Sequence, residues 1–269
     1  MEHENIGKWF LRERAGKHFV ILTYRARFPE SSSAEGVFCF SSCFVVEVER
    51  RWFLVTAGHV INNIKTALDR GVELSGWELQ DHAAGHSFVP GVPFPFDVKD
   101  WIVIEDEYRG IDYAATLLSD LLVRNLVAGR IQPITEIAWG PVASEDCENW
   151  LLVGIPRETI SAQGAKHVAR LTLIPLDPVG PPEEARKTAE NKLFGAIRTN
   201  PVLDGGAVRD IDGMSGGPVF GTKSVDGVLR YWAIGIQSSW YELRRIACFC
   251  PLPGFLLAVK QAIRKSQAG

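Results

Sequence analysis

Short apolar runs, many of them alternating with polar residues, set the texture of the chain. HFVILTY (18–24), GVFCFSSCFVVEVE (36–49), RWFLVTA (51–57), WIVIED (101–106) and DYAATLL (112–118) recur in the first half. WLLVGIP (150–156), VARLTLIPL (168–176), GPVFG (217–221) and LRYWAIGIQSS (229–239) recur in the second. They are rich in β-branched and aromatic residues and bounded by turn residues, and alternation is what a strand with one buried face requires. The pattern predicts an all-β chain.

Two segments switch period. HVINNIKTALDRG (59–71) places Val60, Ile61, Ile64 and Leu68 at helical spacing and ends at a glycine. PGFLLAVKQAIRK (253–265) puts Phe255, Leu256, Val259 and Ile263 on one face and ends in basic residues, which suit a helix carboxy terminus. A carboxy-terminal helix over 254–266 is therefore expected, docked on a sheet. PLDPVGPPEEARKTAENK (175–192) reads as an excursion from the core, with a helical turn in EEARKTAENK. A linker is expected near 123–148, dividing 1–125 from 126–269. No internal repeat or low-complexity segment stands out.

The 269 residues can bury a real core, and 46% hydrophobic with 23% charged residues is ordinary globular usage. A net charge of −3 supplies no basic stripe to neutralise phosphates, so no nucleic-acid partner is expected. The amino terminus MEHENIGKWFLRER is charged throughout, with no apolar segment of signal-peptide length. No run approaches the roughly 20 apolar residues of a membrane span, so no membrane partner is expected. Five cysteines, an odd number without an export signal, suit a reduced, cytoplasmic chain.

The candidate chemistry begins at DGMSGGPVF (212–220), a serine set among glycines. A free hydroxyl is a poor nucleophile and needs a base in hydrogen-bond reach, with a third group to orient that base. Gly213-Met214-Ser215-Gly216-Gly217 fits G-x-S-x-G, the nucleophile elbow of α/β-hydrolases, which requires a following helix and a histidine later in the chain. Pro218 opens a strand instead, and the six histidines are His3, His18, His59, His82, His86 and His167, all before Ser215. The elbow reading fails.

The order His, Asp, Ser is available. RWFLVTAGHV ends a hydrophobic strand at His59, and GIDYAATLL sets Asp112 at the head of another apolar run, with Asp106 and Asp120 as rival carboxylates. T-A-G-H-V, D-Y-A-A-T-L-L and G-M-S-G-G-P resemble the histidine, aspartate and serine motifs of the chymotrypsin-like (trypsin-fold) serine peptidases, in the same order and at similar spacing. WLLVGIP resembles the strand that opens the family's second barrel, and AIGIQSS the strand lining the substrate cleft. The resemblance covers roughly residues 36–250, patchily.

The resemblance implies two antiparallel six-stranded β-barrels, the first (1–125) carrying His59 and Asp112 and the second (126–269) Ser215, with the carboxy-terminal helix. It implies a serine endopeptidase: Ser215 as nucleophile, His59 as base, Asp112 orienting it, and the Gly213 and Ser215 amides as oxyanion hole. Ser238 falls where the family often keeps a serine bonded to the triad aspartate and beside the substrate. Arg209 falls at the pocket floor, where an inward side chain would favour an acidic residue and an outward one would not. Trp240 falls at the cleft rim, where it narrows the pocket. A protein or peptide is the implied substrate, and no metal or organic cofactor is implied.

Two departures bear on regulation. Met214 stands where secreted members carry the aspartate that pairs with a newly cut amino terminus, so that activation is not expected here; the closest style is the unprocessed bacterial HtrA-type proteases. Cys43 stands where many relatives begin a disulfide, but Val60 occupies the partner position. Alternatives are a latent protease that needs a signal or regulatory protein, or a non-cutting peptide-binding module of the same fold. His82 with His86, and Cys248 with Cys250, have ligand-like intervals but no accompanying cluster, so a metal site is not expected.

Overall fold

The computed structural model describes residues 14–30, 36–80, 91–106, 109–140, 142–163, 166–185, 191–198 and 208–268. His82 and His86, and half of the turn expected in EEARKTAENK, lie outside them.

The amino-terminal runs pair into one antiparallel sheet. Its strands are β1 (Phe19–Arg27), β2 (Val37–Val48), β3 (Arg51–Thr56), β4 (Glu73–Gln80), β5 (Val92–Pro93), β6 (Trp101–Asp106) and β7 (Ile111–Leu117). They lie in the order β5-β4-β1-β2-β3-β7-β6. Helix α1 (Gly58–Asp69) leaves β3 after Ala57 and buries Val60, Ile61 and Ile64, the face its periodicity predicts. Strand β4 was not visible as a run: Gly76 at φ +63° sits where the β1–β4 register shifts, and this bulge breaks the alternation of ELSGWELQ.

The second half closes. Strands β8 (Asn149–Gly154), β11 (Thr172–Val179), β12 (Leu193–Ile197), β13 (Pro218–Val225), β14 (Val228–Tyr241) and β15 (Ile246–Pro251) form a six-stranded barrel in the order β11-β12-β15-β14-β13-β8. Two short strands, β9 (Ser161–Gln163) and β10 (Lys166–Val168), form a hairpin beside it. The all-β class, a closed six-stranded barrel and a carboxy-terminal helix, α4 (Leu252–Ala268), are thus all present, while the first half is a seven-stranded sheet.

The described part of the stretch expected as a linker carries helices and contacts of its own. Helix α2 (Asp120–Ala128) starts where the Ser119 hydroxyl accepts from the Leu122 amide, and it buries Leu122 and Leu126. The chain then runs beside β2, with the Ile134 amide donating to Val45 O at 2.8 Å and the Glu47 amide to Ile134 O at 2.9 Å. A one-turn helix α3 (Glu136–Trp139) follows, and the buried Trp139 indole donates to Glu47 O at 3.0 Å. Serine cap, helical spacing and Gly129 mark α2 in the sequence; the contacts that pin 131–139 are long-range and leave no local trace.

One hydrophobic cluster joins the two halves. Phe19, Phe44, Val46, Val55 and Tyr113 from the first sheet pack with Val153, Phe220, Ile236, Phe255 and Leu256 from the barrel and α4. Among the described residues, no helix is long and apolar enough to cross a membrane.

Candidate active site

Antiparallel register brings His59 to Asp112. In the β3–β7 pair Thr56 faces Ala114, so the chain two or three residues beyond Thr56 arrives beside residue 112. Gly58 makes that approach tolerable: a Cβ there would stand 3.0 Å from Asp112 Oδ1 and 3.1 Å from Tyr113 O. This is the physical reason for the glycine before the histidine in T-A-G-H.

The pair is fully bonded. His59 Nδ1 donates to Asp112 Oδ2 at 2.7 Å, and the His59 backbone amide donates to Asp112 Oδ1 at 2.8 Å. Ser238 Oγ donates to Asp112 Oδ2 at 2.5 Å, as the sequence resemblance implied. Ser238 is the extra residue where the β14–β15 register shifts, and such a bulge re-aims a side chain. Asp112 is only 5% exposed. Burial alone would raise its pKa, but the His59 hydrogen bond and charge, the Ser238 hydroxyl and the His59 amide outweigh it and hold the carboxyl below its ordinary value. An ionised Asp112 accepts only, so the hydrogen in this bond sits on His59 Nδ1, and in the neutral imidazole Nε2 is the lone-pair acceptor.

The serine turn is pressed against the same corner. Gly216, next to Ser215, has φ +86°, and a Cβ there would meet Thr56 Oγ1 at 2.1 Å, Ser42 O at 2.4 Å and the Ala57 amide nitrogen at 3.0 Å. Ser215 thus lies on a turn in contact with the strand end that delivers His59. Gly213 has φ +90°, and its carbonyl accepts from Ser42 Oγ at 2.9 Å. The Met214 amide bonds to Ile211 O, the Gly216 amide to Gln237 O and the Gly217 amide to Met214 O. The amides of Gly213 and Ser215 make no hydrogen bond to another described residue. Both residues are half-buried in the turn.

Met214 is fully buried and packs against Gly154, so its side chain anchors the turn in the barrel core. Ser42 was not singled out from sequence; a serine inside a strand carries no signal that it will tie β2 to residue 213.

The rim residues differ in placement. Arg209 is exposed, and its amide donates to Glu158 Oε1 at 2.7 Å. Trp240 is half-buried, and its indole N–H donates to Asp212 Oδ1 at 3.2 Å. The five cysteines are free, and burial raises the pKa of each, to about 12 for Cys43 and Cys250, which keeps thiolate nucleophiles scarce. Among the described residues, no cluster of three His, Cys, Asp or Glu side chains is arranged to hold a metal ion.

The described residues thus form a closed six-stranded barrel and a seven-stranded sheet, with a bonded His–Asp pair on the sheet and a glycine-flanked serine at the start of a barrel strand. No family model matches the chain, and no curated protein sequence matches it. Among solved structures it is similar to the thermostable serine protease AL20 from an extremophilic microorganism, with 16% identity and a TM-score of 0.43, covering 92% of this chain and 97% of that one. It is similar to the protease Anisep from Arthrobacter nicotinovorans, with 14% identity and a TM-score of 0.46, covering 87% and 90% respectively. It is also similar to a catalytically inactive tobacco etch virus protease complexed with substrate, with 15% identity and a TM-score of 0.43, covering 92% and 85%.

Proposed function

We propose that the chain is a serine endopeptidase that cuts protein or peptide substrates through an acyl-enzyme, with 1–125 supplying His59 and Asp112 and 126–269 supplying Ser215. The observation that carries this reading is the pairing of an oriented His59 with two amides at the Ser215 turn that bond to no other described residue. Ser215 Oγ attacks the scissile carbonyl carbon while its proton passes to His59 Nε2. The Gly213 and Ser215 amides receive the resulting oxyanion, and each such donor contributes about 3–4 kcal/mol of barrier lowering. His59 then hands the proton to the leaving amine, the C–N bond breaks, and the ester forms. A water, deprotonated by His59, reverses these steps and frees the acid. Asp112 stays ionised throughout and holds the imidazole.

Met214 in the core supports a turn that needs no new amino terminus to take shape. Arg209 at the pocket floor and Trp240 at the cleft rim are proposed as contacts for substrate. Free cysteines support a reducing, cytoplasmic setting. The Trp240–Asp212 bond favours a second reading, in which the two segments flanking Ser215 are tied together until a substrate or regulatory protein parts them.

The test is labelling with an alkyl fluorophosphonate, read by intact mass and peptide mapping. One adduct on Ser215, absent from Ser215→Ala and from protein unfolded beforehand, is expected. Absence of any adduct on the native protein, with AL20 labelled in parallel, would overturn the reading.

A further inference from the structure

A closed turn stands immediately ahead of Ser215. The Met214 amide donates to Ile211 O at 3.0 Å, which joins the ends of the four residues 211–214. Gly213, at the third position, has φ +90°, while Asp212, at the second, has negative φ. A hydrogen-bonded turn with positive φ at the third position alone is type II, and it calls for glycine there. A Cβ on Gly213 would also meet the Phe40 ring at 2.9 Å and Ile155 O at 3.0 Å. Types I and II share their ends and differ in the central peptide, whose two flanking dihedrals change by roughly 150–170° between them. Here that peptide is Asp212–Gly213, and it carries the Gly213 N–H.

Two groups hold the turn in this form. The Arg157 amide donates to Asp212 O at 2.6 Å. Arg157 opens a single 3₁₀ turn (Arg157–Thr159), so its N–H has no partner within that turn and is free to do so. A trans peptide sends its C=O and its N–H in opposite directions, so fixing Asp212 O turns the Gly213 N–H to the other side of the loop. There it bonds to no other described residue. Ser42, fully buried on β2, secures the next peptide: its Oγ donates to Gly213 O at 2.9 Å and accepts from the Ile155 amide at 3.4 Å. Ser42 is itself held, since Thr56 Oγ1 donates to its carbonyl at 3.0 Å. The two anchors thus come from opposite halves, one from β2 and one from the segment that leaves β8.

We propose that the Arg157 N–H and the Ser42 hydroxyl are positioning groups, which hold the 211–214 turn as type II and so keep the Gly213 N–H aimed at the reacting carbonyl oxygen. Rotation of the central peptide to type I would put Asp212 O in place of that N–H, and a carbonyl repels an oxyanion where the amide attracts it. Neither group touches substrate; each acts through Gly213. The inference rests on the endopeptidase reading for what meets the N–H, and the experiment separates the two.

The alkyl fluorophosphonate is titrated against the wild-type chain and its variants well below their thermal midpoints. The maximal labelling rate of Ser215, the half-saturating concentration and the pH midpoint of the rate are compared. Arg157→Pro removes the N–H; proline suits the first position of a helical turn, and Pro156 at ψ 136° already has the backbone of a residue before proline. Its maximal rate should fall toward the roughly 100- to 1000-fold that loss of a hole donor costs. Ser42→Ala removes the hydroxyl and should lower the rate by about 10-fold, as loss of one hydrogen bond implies. Half-saturation and the pH midpoint should hold in both, because neither change touches the alkyl group or His59. Arg157→Ala keeps the amide and should label about 10-fold faster than Arg157→Pro, and Ser42→Thr, which keeps a hydroxyl, should outpace Ser42→Ala. A purely structural role would lower the thermal midpoint and leave the maximal rate alone. Equal maximal rates in wild type, Arg157→Pro and Ser42→Ala overturn the inference, and the endopeptidase reading survives because Ser215 still labels. A shifted pH midpoint places the defect at His59 and overturns it too. If the wild type never labels while AL20 does, the endopeptidase reading falls and takes the inference with it. Should Arg157→Pro fail to fold, Ser42→Ala against Ser42→Thr decides alone.

Discussion

Asp112 accepts from His59 Nδ1, from the His59 amide and from Ser238, and these donors favour its ionised form although burial opposes it. Its lowered pKa makes the ionised carboxylate a stabilising group. That contribution is complete above the ordinary value of about 3.9 and is lost as pH falls through the lower folded value. Asp112→Asn keeps the shape but inverts the bond to His59, and kcat for any peptide found to be cut should fall by about 10^4-fold. The variant should also show a flatter loss of stability below pH 4 in thermal melts. His18 behaves in the opposite chemical sense. It is buried, with Nδ1 facing Gln132 O at 2.7 Å and Nε2 facing the Tyr231 hydroxyl at 2.8 Å. Burial foremost, with Lys17 adding, pulls its pKa down to about 3, against a partial rise from the Gln132 carbonyl. The unfolded chain binds a proton near pH 6.5 and the folded chain does not, so stability falls as pH drops below 6.5. Between pH 6.5 and 4 that loss is on the order of 3 kcal/mol. Urea melts of His18→Gln should start less stable at pH 7 and lose less on acidification; an unchanged slope would remove His18 from the account.

The elements around the site are held by close approach of main chains, and Gly216 is the clearest case. With φ +86° and a Cβ that would overlap Thr56 Oγ1 and Ser42 O, Gly216→Ala combines backbone strain with overpacking between the serine turn and β2–β3. A loss of about 3 kcal/mol is expected, read as a lower urea midpoint at unchanged slope. A loss under about 0.5 kcal/mol would mean that the turn and strand end are not in contact. This packing also explains what the sequence disclosed. His59, Asp112 and Ser215 are legible because each lies in a short motif whose glycines and small residues answer a local steric demand. Helix α1 is legible because its buried face repeats at helical spacing. Strand β4 is hidden by the bulge at Gly76, and β12, LFGAI, is five residues whose pairing to β11 and β15 is entirely long-range.

At the scale of the molecule, the site depends on two sheet-built halves keeping a fixed relation, and several independent contacts enforce it. The Tyr113 ring lies parallel to Phe255 with centroids 4.6 Å apart, and its hydroxyl donates to Pro251 O at 2.6 Å. Asp112 to Ser238 and Ser42 to Gly213 cross the same boundary. Helix α4 adds Arg264 to Glu49 on the first sheet and Lys260 to Glu136 on the crossing segment, but exposed ion pairs contribute little. The apolar cluster shared by both sheets and α4 therefore carries the coupling. Two units with separate cores would unfold separately; a shared core predicts one transition. Hydrogen exchange in rising denaturant should expose amides of β3 and β13 at the same midpoint. Phe255→Ala, which empties the stacked site, should lower both together by about 3–5 kcal/mol. If β13 shifts while β3 stays put, the halves are independent, and the geometry joining His59 to the Ser215 turn must be maintained by the site's own hydrogen bonds alone.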